Sequence, residues 1–297
     1  MATIVPPVKC QGIKTKLVNQ ISNIAKPPVE GRWIEPFCGS CVVALNVRPH
    51  RALLADTNIH IINLYKAIQN GTINPGIVKS FLEEQGEFLR KGGGEYYYTV
   101  RDRFNNNPTS LDFLFLNRSC FNGMIRFNRY GKFNVPFGHK PNRFAQAYIT
   151  KIINQVRRFS EIIRDKDWVF EACDFRQTLA KVKPEDMVYL DPPYAGRHVD
   201  YFNTWTEMDE STLINSIKNL PSRFILSTWH SNDYRVNTAI QQHWQESLFH
   251  IQTATHFYHV GATEDLRNAM TEALITNYKT QCQPESKPLT HFQAALF

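Results

Sequence analysis

The sequence predicts an α/β protein with a Rossmann-like, doubly wound and mostly parallel sheet, interrupted by an inserted, mainly helical lobe. Short apolar runs typical of buried strands alternate with segments whose apolar residues recur at helical spacing. A stretch rich in Gly, Asn and aromatic residues interrupts this alternation, which resumes near residue 144. Strands that alternate with helices favour a parallel sheet with helices on both faces.

Two strand–helix units precede the interruption. Residues 32–37 are typical of a short buried strand, followed by a turn at 38–40 and an apolar helix start at 42–47. A second apolar run at 52–55 ends in Asp56, and residues 58–68 carry apolar side chains at helical spacing. The same unit therefore occurs twice in the first 68 residues.

After the interruption, the pattern predicts a helix at 149–163 and strands at 168–172 and 187–190, the last ending in Asp191. A helix at 210–217 and a strand at 224–228 follow. We therefore predict a main domain formed by residues 1–68 and 144–278, an inserted domain at 69–143, and a polar, aperiodic tail at 279–297.

Composition restricts the partners and the compartment. The chain has 34 Lys and Arg against 27 Asp and Glu, and the resulting charge of +7 favours a polyanionic partner without identifying it. Six cysteines lack the spacing of a zinc site or a disulfide framework, so we expect reduced thiols and no metal. For the C-x-x-C formed by Cys38 and Cys41, packing or cofactor contact is preferred over a redox role. Because neither a signal peptide nor a membrane-spanning apolar run is evident, we expect a cytoplasmic protein without membrane contact.

The turn after the first strand is the first candidate binding site. Ligands of such sheets bind at the carboxyl ends of the strands, where Glu35 to Ser40 are placed. Asp56 ends the next strand, near the offset of about 20 residues at which an acidic side chain receives ribose hydroxyls. The pair indicates an adenosine-containing cofactor, although Asp56 as a simple helix cap explains the sequence equally well.

The tetrapeptide Asp191-Pro192-Pro193-Tyr194, directly after a predicted strand, is more specific. Its prolines fix the backbone and remove two donors, so that carbonyl oxygens face a pocket beside the carboxylate. The Asp191 carboxylate and the Pro192 carbonyl would hold the two N–H groups of an exocyclic amine and orient its nitrogen toward a methyl sulfonium. Tyr194 would stack on a base that has left the duplex. An ordinary Pro-Pro loop with a core tyrosine is the alternative.

The inserted lobe carries residues suited to reading bases. Arg126 suits a guanine edge, asparagine side chains suit adenine, and Phe121 or Met124 would wedge between base steps. For Phe127, Phe133 and Phe137 we expect packing in the core of the lobe. A surface that faces phosphates is predicted for the basic residues Arg101, Arg103, Arg118, Arg129, Lys132, Lys140 and Arg143.

In this order, residues 12–17, Glu35 to Gly39, Asp56, residues 133–138 and Asp191 to Tyr194 resemble the motifs of the Dam-type (D12 class) adenine-N6 DNA methyltransferases. The resemblance runs from about residue 9 to residue 277. It implies a class I methyltransferase fold, a catalytic domain that binds S-adenosyl-L-methionine, an inserted target-recognition domain, and double-stranded DNA as partner. We further expect a monomer or weak dimer, and pairing with a cognate restriction endonuclease without direct contact.

The residue patterns and the resemblance together assign the expected roles. The expected catalytic residues are Asp191, Pro192, Pro193 and Tyr194. The expected cofactor contacts are Cys10, Lys14, Glu35, Phe37, Gly39, Asp56, Asp174 and Asp191. The expected DNA contacts are Arg118, Phe121, Asn122, Met124, Arg126, Asn128 and Lys132.

The sequence departs from the family pattern at two positions. Cys41 stands where the motif usually has its second glycine, so the turn has to accept a side chain or open slightly. Cys10 stands where an aromatic residue often contacts the cofactor. Residues 111–128 and 198–203 are most similar to the EcoRV-type subgroup of modification methylases, which implies the target GATATC. Methylation of RNA or of cytosine N4, and a catalytically silent DNA-binding protein, are the alternatives.

Overall fold

One mixed sheet lies at the centre of the protein. The computed structural model describes residues 2–193, 205–232, 236–245, 247–257 and 269–280. In these ranges the strands are β1 (Trp33–Glu35), β2 (Arg51–Asp56), β3 (Asp167–Ala172), β4 (Met187–Leu190), β5 (Arg223–Asn232), β6 (His250–Phe257) and β7 (Ala269–Thr276). Their order is β3-β2-β1-β4-β5-β7-β6. Strands β1 to β5 are parallel, and β7 runs antiparallel to both β5 and β6. The predicted doubly wound, mostly parallel sheet is confirmed, in the form of the class I methyltransferase fold.

Helices connect the strands and cover the sheet. They are α1 (Val18–Ile24), α2 (Val42–Val47), α3 (Ile59–Gln69), α4 (Pro75–Asn106), α5 (Ser110–Ser119), α6 (Gln146–Ile163), α7 (Phe175–Leu179), α8 (Glu207–Lys218) and α9 (Thr238–His243). Side chains of Asn58, Asn74 and Thr109 accept backbone N–H groups at the starts of α3, α4 and α5. These caps satisfy donors that a helix leaves unpaired at its first turn.

The strand order reverses between β1 and β4, which lie side by side with Trp33 opposite Met187 and Ile34 opposite Val188. The connections from these two strands leave in opposite directions, which opens a crevice at their carboxyl ends. Glu35 ends β1, and Asp191 directly follows β4. The two candidate motifs therefore meet at the switch point of the sheet.

The inserted segment is built from α4, α5 and an irregular hairpin of residues 120–137. Isolated bridges join Cys120 to Phe137 and Phe127 to Phe133 within this hairpin. The glycines at 92–94 lie at a kink inside α4, where the non-helical backbone of Gly93 (φ 53°, ψ −129°) joins two helical segments. The boundaries at residues 69 and 143 stay a prediction.

The core of the inserted segment is continuous with that of the sheet. Buried side chains of α4 and α5, such as Leu82 and Phe113, belong to the same apolar cluster as Leu54 of β2. Phe127, Phe133 and Phe137 are 7%, 1% and 5% exposed and join this cluster, which confirms their predicted packing role. The inserted segment is thus anchored on the sheet by apolar burial.

Several predictions from the sequence fall outside the described residues. They concern Tyr194, the segment 198–203 and the tail from residue 281 onward. Among the helices that the structure does describe, none combines the length and apolarity needed to span a bilayer.

Candidate active site

The carboxylate of Asp191 is held by a buried ammonium group from the other end of the chain. Lys14 Nζ lies 2.8 Å from Asp191 Oδ1, with side chains that are 3% and 22% exposed. Lys14 Nζ also donates to the carbonyl oxygen of Gly12, at 3.0 Å, within a turn that Gly12 makes at φ 72°. Burial raises the pKa of Asp191 to about 6, while Lys14 lowers it and the Glu272 carboxylate raises it. Asp191 is therefore mostly ionised at neutral pH, and both of its oxygens can accept hydrogen bonds.

A second buried acid, Glu35, lies on the neighbouring strand. Trp33 Nε1 donates to Glu35 Oε1 at 2.8 Å. Burial raises the pKa of Glu35 to about 8; the Trp33 hydrogen bond opposes the rise, and the charge of Asp191 adds to it. Glu35 is therefore protonated and neutral at pH 7. The negative charge of Asp191 is then balanced by the positive charge of Lys14.

The Gly39 turn is tied to the end of β2 by Asp56. Asp56 Oδ2 accepts the N–H of Gly39 at 2.9 Å, and Asp56 Oδ1 accepts the N–H of Asn58 at 2.8 Å. The cap of α3 is provided by Asn58, so the helix-cap alternative for Asp56 is wrong. A Cβ built on Gly39 (φ 43°) would meet no described atom within 4 Å. Asp56 thus anchors the turn on one side, and the side where a Gly39 side chain would stand is open, as a cofactor-binding turn requires.

Cys41 fits this turn without opening it. It adopts a left-handed conformation (φ 58°), normally favoured by glycine, at the start of α2, and its N–H donates to the Cys38 carbonyl at 2.6 Å. Cys38 and Cys41 are 5% and 0% exposed, and burial raises the pKa of both thiols. Protonated, packed thiols agree with the packing interpretation of the C-x-x-C motif.

Aromatic rings form a wall beside the turn. Phe37 stacks on Phe175, with ring centroids 5.5 Å apart, and meets Trp205 edge-on at 5.8 Å. Asp174 precedes Phe175 and caps α7, and its carboxylate also pairs with Arg176 at 3.1 Å. Sequence analysis missed Phe175 and Trp205, because neither belongs to a motif and both are placed by the packing of α7 and of the segment before α8.

Several of the expected cofactor contacts lie at this edge of the sheet. Asp56 offers carboxylate oxygens, the Gly39 turn offers an open backbone surface, and Phe37 with Phe175 offers an apolar wall. Cys10 is half-buried. Burial raises the pKa of its thiol, and the negative charges of Asp56 and Cys41 raise it further, so the thiol lies near the same turn. This set fits a cofactor with ribose hydroxyls and an aromatic base. Among the described side chains, no three His, Cys, Asp or Glu residues converge as metal ligands.

The 120–137 hairpin presents several of the predicted DNA contacts. Phe121 is 47% exposed, and the exposed Asn122 beside it adopts φ 54°. Met124 is half-buried against the core. Arg126 Nε donates to Asn134 Oδ1 at 2.8 Å, so the opposite side of the hairpin orients this guanidinium.

The tip of the hairpin is a turn built on Asn128. Its Oδ1 accepts the N–H groups of Tyr130 at 2.9 Å and of Lys132 at 3.1 Å. The side chain of Lys132 is exposed beside it. The side-chain oxygen of Asn128 therefore fixes the backbone of the tip, and with it the position of Lys132.

Arg118 does not lie on the exposed surface of the 120–137 hairpin. Helix α5 directs it inward, where it is 2% exposed and its Nη2 donates to Gln155 Oε1 of α6 at 2.7 Å. The hairpin residues and Arg118 are thus not one continuous surface, and the role of Arg118 in DNA contact stays a prediction.

The strand order and the polar groups at the ends of β1 and β4 define a protein of the class I methyltransferase type. Residues 11–260 match the family described as D12 class N6 adenine-specific DNA methyltransferase. The chain belongs to this family, and by family it is an adenine-specific DNA methyltransferase.

Three relatives illustrate the range of the family. The Retron Ec67 DNA adenine methylase of Escherichia coli is 31% identical over 229 residues, which are 73% of each chain. The DNA adenine methylase of Haemophilus influenzae is 34% identical over 198 residues, 64% of each chain. The type II methyltransferase M.FokI of Planomicrobium okeanokoites is 26% identical over 284 residues, which cover 92% of this chain and 42% of that protein. The chain therefore spans less than two thirds of the length of the last two.

Proposed function

We propose that this chain transfers a methyl group from S-adenosyl-L-methionine to N6 of an adenine flipped out of double-stranded DNA. Family membership supports adenine in DNA as the substrate. The observation that carries the chemistry is the buried pair of Lys14 and Asp191 at the switch point, beside the open Gly39 turn.

The chain's own residues overcome the weak nucleophilicity of an exocyclic amine, whose lone pair is delocalised into the purine ring. The ionised Asp191 and the carbonyl oxygen of Pro192 accept the two N–H groups, which draws the nitrogen toward a tetrahedral geometry. Lys14 fixes the carboxylate in one orientation, so the acceptor is in place before the base arrives. S-adenosyl-L-methionine, when bound, supplies the electrophilic methyl group. The proton that the methylated amine then loses passes to the Asp191 carboxylate.

The cofactor would lie across the ends of β1 and β2. Each Asp56 oxygen accepts one backbone N–H and keeps a second lone pair for a ribose hydroxyl. Phe37 and Phe175 would pack against the cofactor, and the open side of Gly39 allows close approach of the backbone. We assign supporting contacts to Cys10, Lys14, Glu35 and Asp174.

We further propose GATATC as the target, on the likeness of residues 111–128 and 198–203 to the EcoRV modification methylase. The 120–137 hairpin supports DNA contact through Phe121, Asn122, Met124, Arg126, Asn128 and Lys132, which are exposed or half-buried. A cognate restriction endonuclease would then act on the same site without contact between the two proteins.

The test is incubation of the protein with methyl-labelled cofactor and a GATATC duplex, a scrambled duplex or RNA. Nucleoside analysis of the product distinguishes N6-methyladenine from N4-methylcytosine. Asp191→Asn should lower transfer by at least about a hundredfold, because an amide replaces the acceptor carboxylate. Asp165→Asn, at an exposed position, is the matched control. Label in no duplex, or equal turnover by Asp191→Asn, would contradict the proposal.

A further inference from the structure

His60 is a half-buried side chain that lies outside both candidate motifs. It occupies the first turn of α3, and its ring packs against three phenylalanines of the inserted segment. These are Phe104 of α4, Phe113 of α5 and Phe127 of the 120–137 hairpin, with ring centroids at 4.8, 5.9 and 5.1 Å. His60 therefore lies where a helix that covers the sheet meets the inserted segment.

The contact between His60 and Phe127 is a stacked one. Their ring planes differ by 15°, whereas the planes of His60 and Phe104 differ by 60°. Burial lowers the pKa of His60, so its ring is neutral at pH 7 and packs as an aromatic side chain. Phe127 is buried and directly follows Arg126, the residue expected to read a base edge. The stacked pair therefore positions the part of the hairpin backbone that carries Arg126.

The returning side of the 120–137 hairpin is held on α4 by hydrogen bonds. The side-chain amide of Asn105 donates to the Phe133 carbonyl at 3.1 Å, and its oxygen accepts the Phe133 N–H at 2.8 Å. The Tyr97 hydroxyl donates to the Val135 carbonyl at 2.8 Å. These bonds fix the hairpin within the inserted segment. The stacked ring pair, in contrast, connects the hairpin with α3, which follows β2.

The start of α3 is tied in turn to Asp56, the acid expected to receive ribose hydroxyls. Asn58 Oδ1 accepts the N–H of His60 at 3.0 Å. The backbone N–H of Asn58 donates to Asp56 Oδ1 at 2.8 Å, and Asn58 is buried. Two hydrogen bonds and one ring pair thus link Asp56 with the backbone beside Arg126. A restraint at one end of this link reaches the other end through groups in direct contact.

We propose that His60 is a positioning residue that couples occupation of the cofactor site to target recognition by the 120–137 hairpin. The inference rests on the proposed function, because it takes Asp56 as the acceptor of the ribose hydroxyls. Hydroxyl groups that donate to Asp56 restrain the start of α3, and His60 passes this restraint to Phe127. A hairpin that is already ordered loses less conformational entropy when DNA binds, so the two ligands bind with positive cooperativity.

The test measures the affinity for a GATATC duplex with and without saturating S-adenosyl-L-homocysteine, a cofactor analogue that has no methyl group to transfer. The wild-type protein should bind the duplex about tenfold more tightly when the analogue is present. His60→Ala removes the ring and should reduce this gain to less than about twofold, whereas His60→Phe keeps a neutral ring and should retain at least about fivefold. His50→Ala, the same change at an exposed histidine, is the matched control and should keep the full gain.

Hydrogen exchange gives an independent readout that the wild-type protein alone can fail, even where His60→Ala does not fold. The N–H groups of Asn128 and Asn134 donate across the hairpin, to the carbonyl oxygens of Lys132 and Arg126. The analogue alone should slow their exchange in the wild type and in His60→Phe but not in His60→Ala. No gain or no slowing in the wild type, a full gain in His60→Ala, or a loss that His60→Phe does not restore would each overturn the proposal. A wild-type protein that fails to bind either the analogue or the duplex would instead refute the proposed function.

Discussion

Replacement of Glu35 by glutamine measures how much stability the protein loses when a buried acid beside Asp191 has to ionise. Glu35 is 2% exposed and accepts a hydrogen bond from Trp33 Nε1. Glutamine has the same shape and keeps a side-chain oxygen for that bond. Unlike the protonated acid, glutamine cannot ionise.

The magnitude follows from the pKa of Glu35, which burial raises from an ordinary 4.5 to about 8. The unfolded chain releases the proton above pH 4.5, but the folded protein keeps it until about pH 8. Stability is therefore full below pH 4.5 and is lost as the pH rises toward 8. At 1.36 kcal/mol per unit, the free energy of unfolding falls by about 5 kcal/mol across this window.

Glu35→Gln should remove this loss. Urea unfolding at pH 5 and at pH 8.5 should show a variant whose advantage over wild type grows with pH, by several kcal/mol between the two conditions. The same substitution at the exposed Glu95 provides the control and should follow the wild-type curve. A difference between Glu35→Gln and wild type that is constant across this range would refute the assignment of Glu35 as a buried neutral acid.

Three further predictions concern activity and binding. Methyl transfer, followed with labelled cofactor, should fall about tenfold per pH unit below pH 6, because Asp191 becomes protonated with a pKa of about 6; a flat acid limb would contradict its role. Lys14→Met should raise the pKa of Asp191 and lower turnover at pH 7 by more than about tenfold, with partial recovery at higher pH, whereas Lys16→Met at an exposed position should not. Phe121→Ala should weaken duplex binding by about tenfold at an unchanged urea midpoint, because this ring is 47% exposed, and Phe113→Ala should instead lower stability by about 3–5 kcal/mol; a destabilised Phe121→Ala would show a packing role.

Local patterns in the sequence determine most of the elements that carry the site. The helix predicted to begin at residue 42 is α2 (Val42–Val47), and the strand predicted at 187–190 is β4 (Met187–Leu190). Both predictions succeed because side-chain periodicity depends on neighbours within one turn or one strand. The glycine run at 92–94 interrupts the sequence pattern, and in the structure Gly93 leaves helical geometry inside α4 (φ 53°, ψ −129°). Strands β6 and β7 and helix α7 were not predicted: α7 is only five residues long, and polar residues such as Thr253 and Glu272 interrupt the apolar patterns of β6 and β7.

The tertiary structure alone decided how the motifs meet. Lys14 and Asp191 lie far apart in sequence and are brought to 2.8 Å by the packing of the N-terminal segment over the end of β4. Asp56 holds the Gly39 turn while Asn58 caps the helix, a division of roles that two polar residues so close in sequence do not reveal. Arg118 turns inward, where Gln155 of α6 offers an acceptor. Residue type and spacing set what each group can do chemically, but charge, burial and pKa depend on neighbours that only the folded chain supplies.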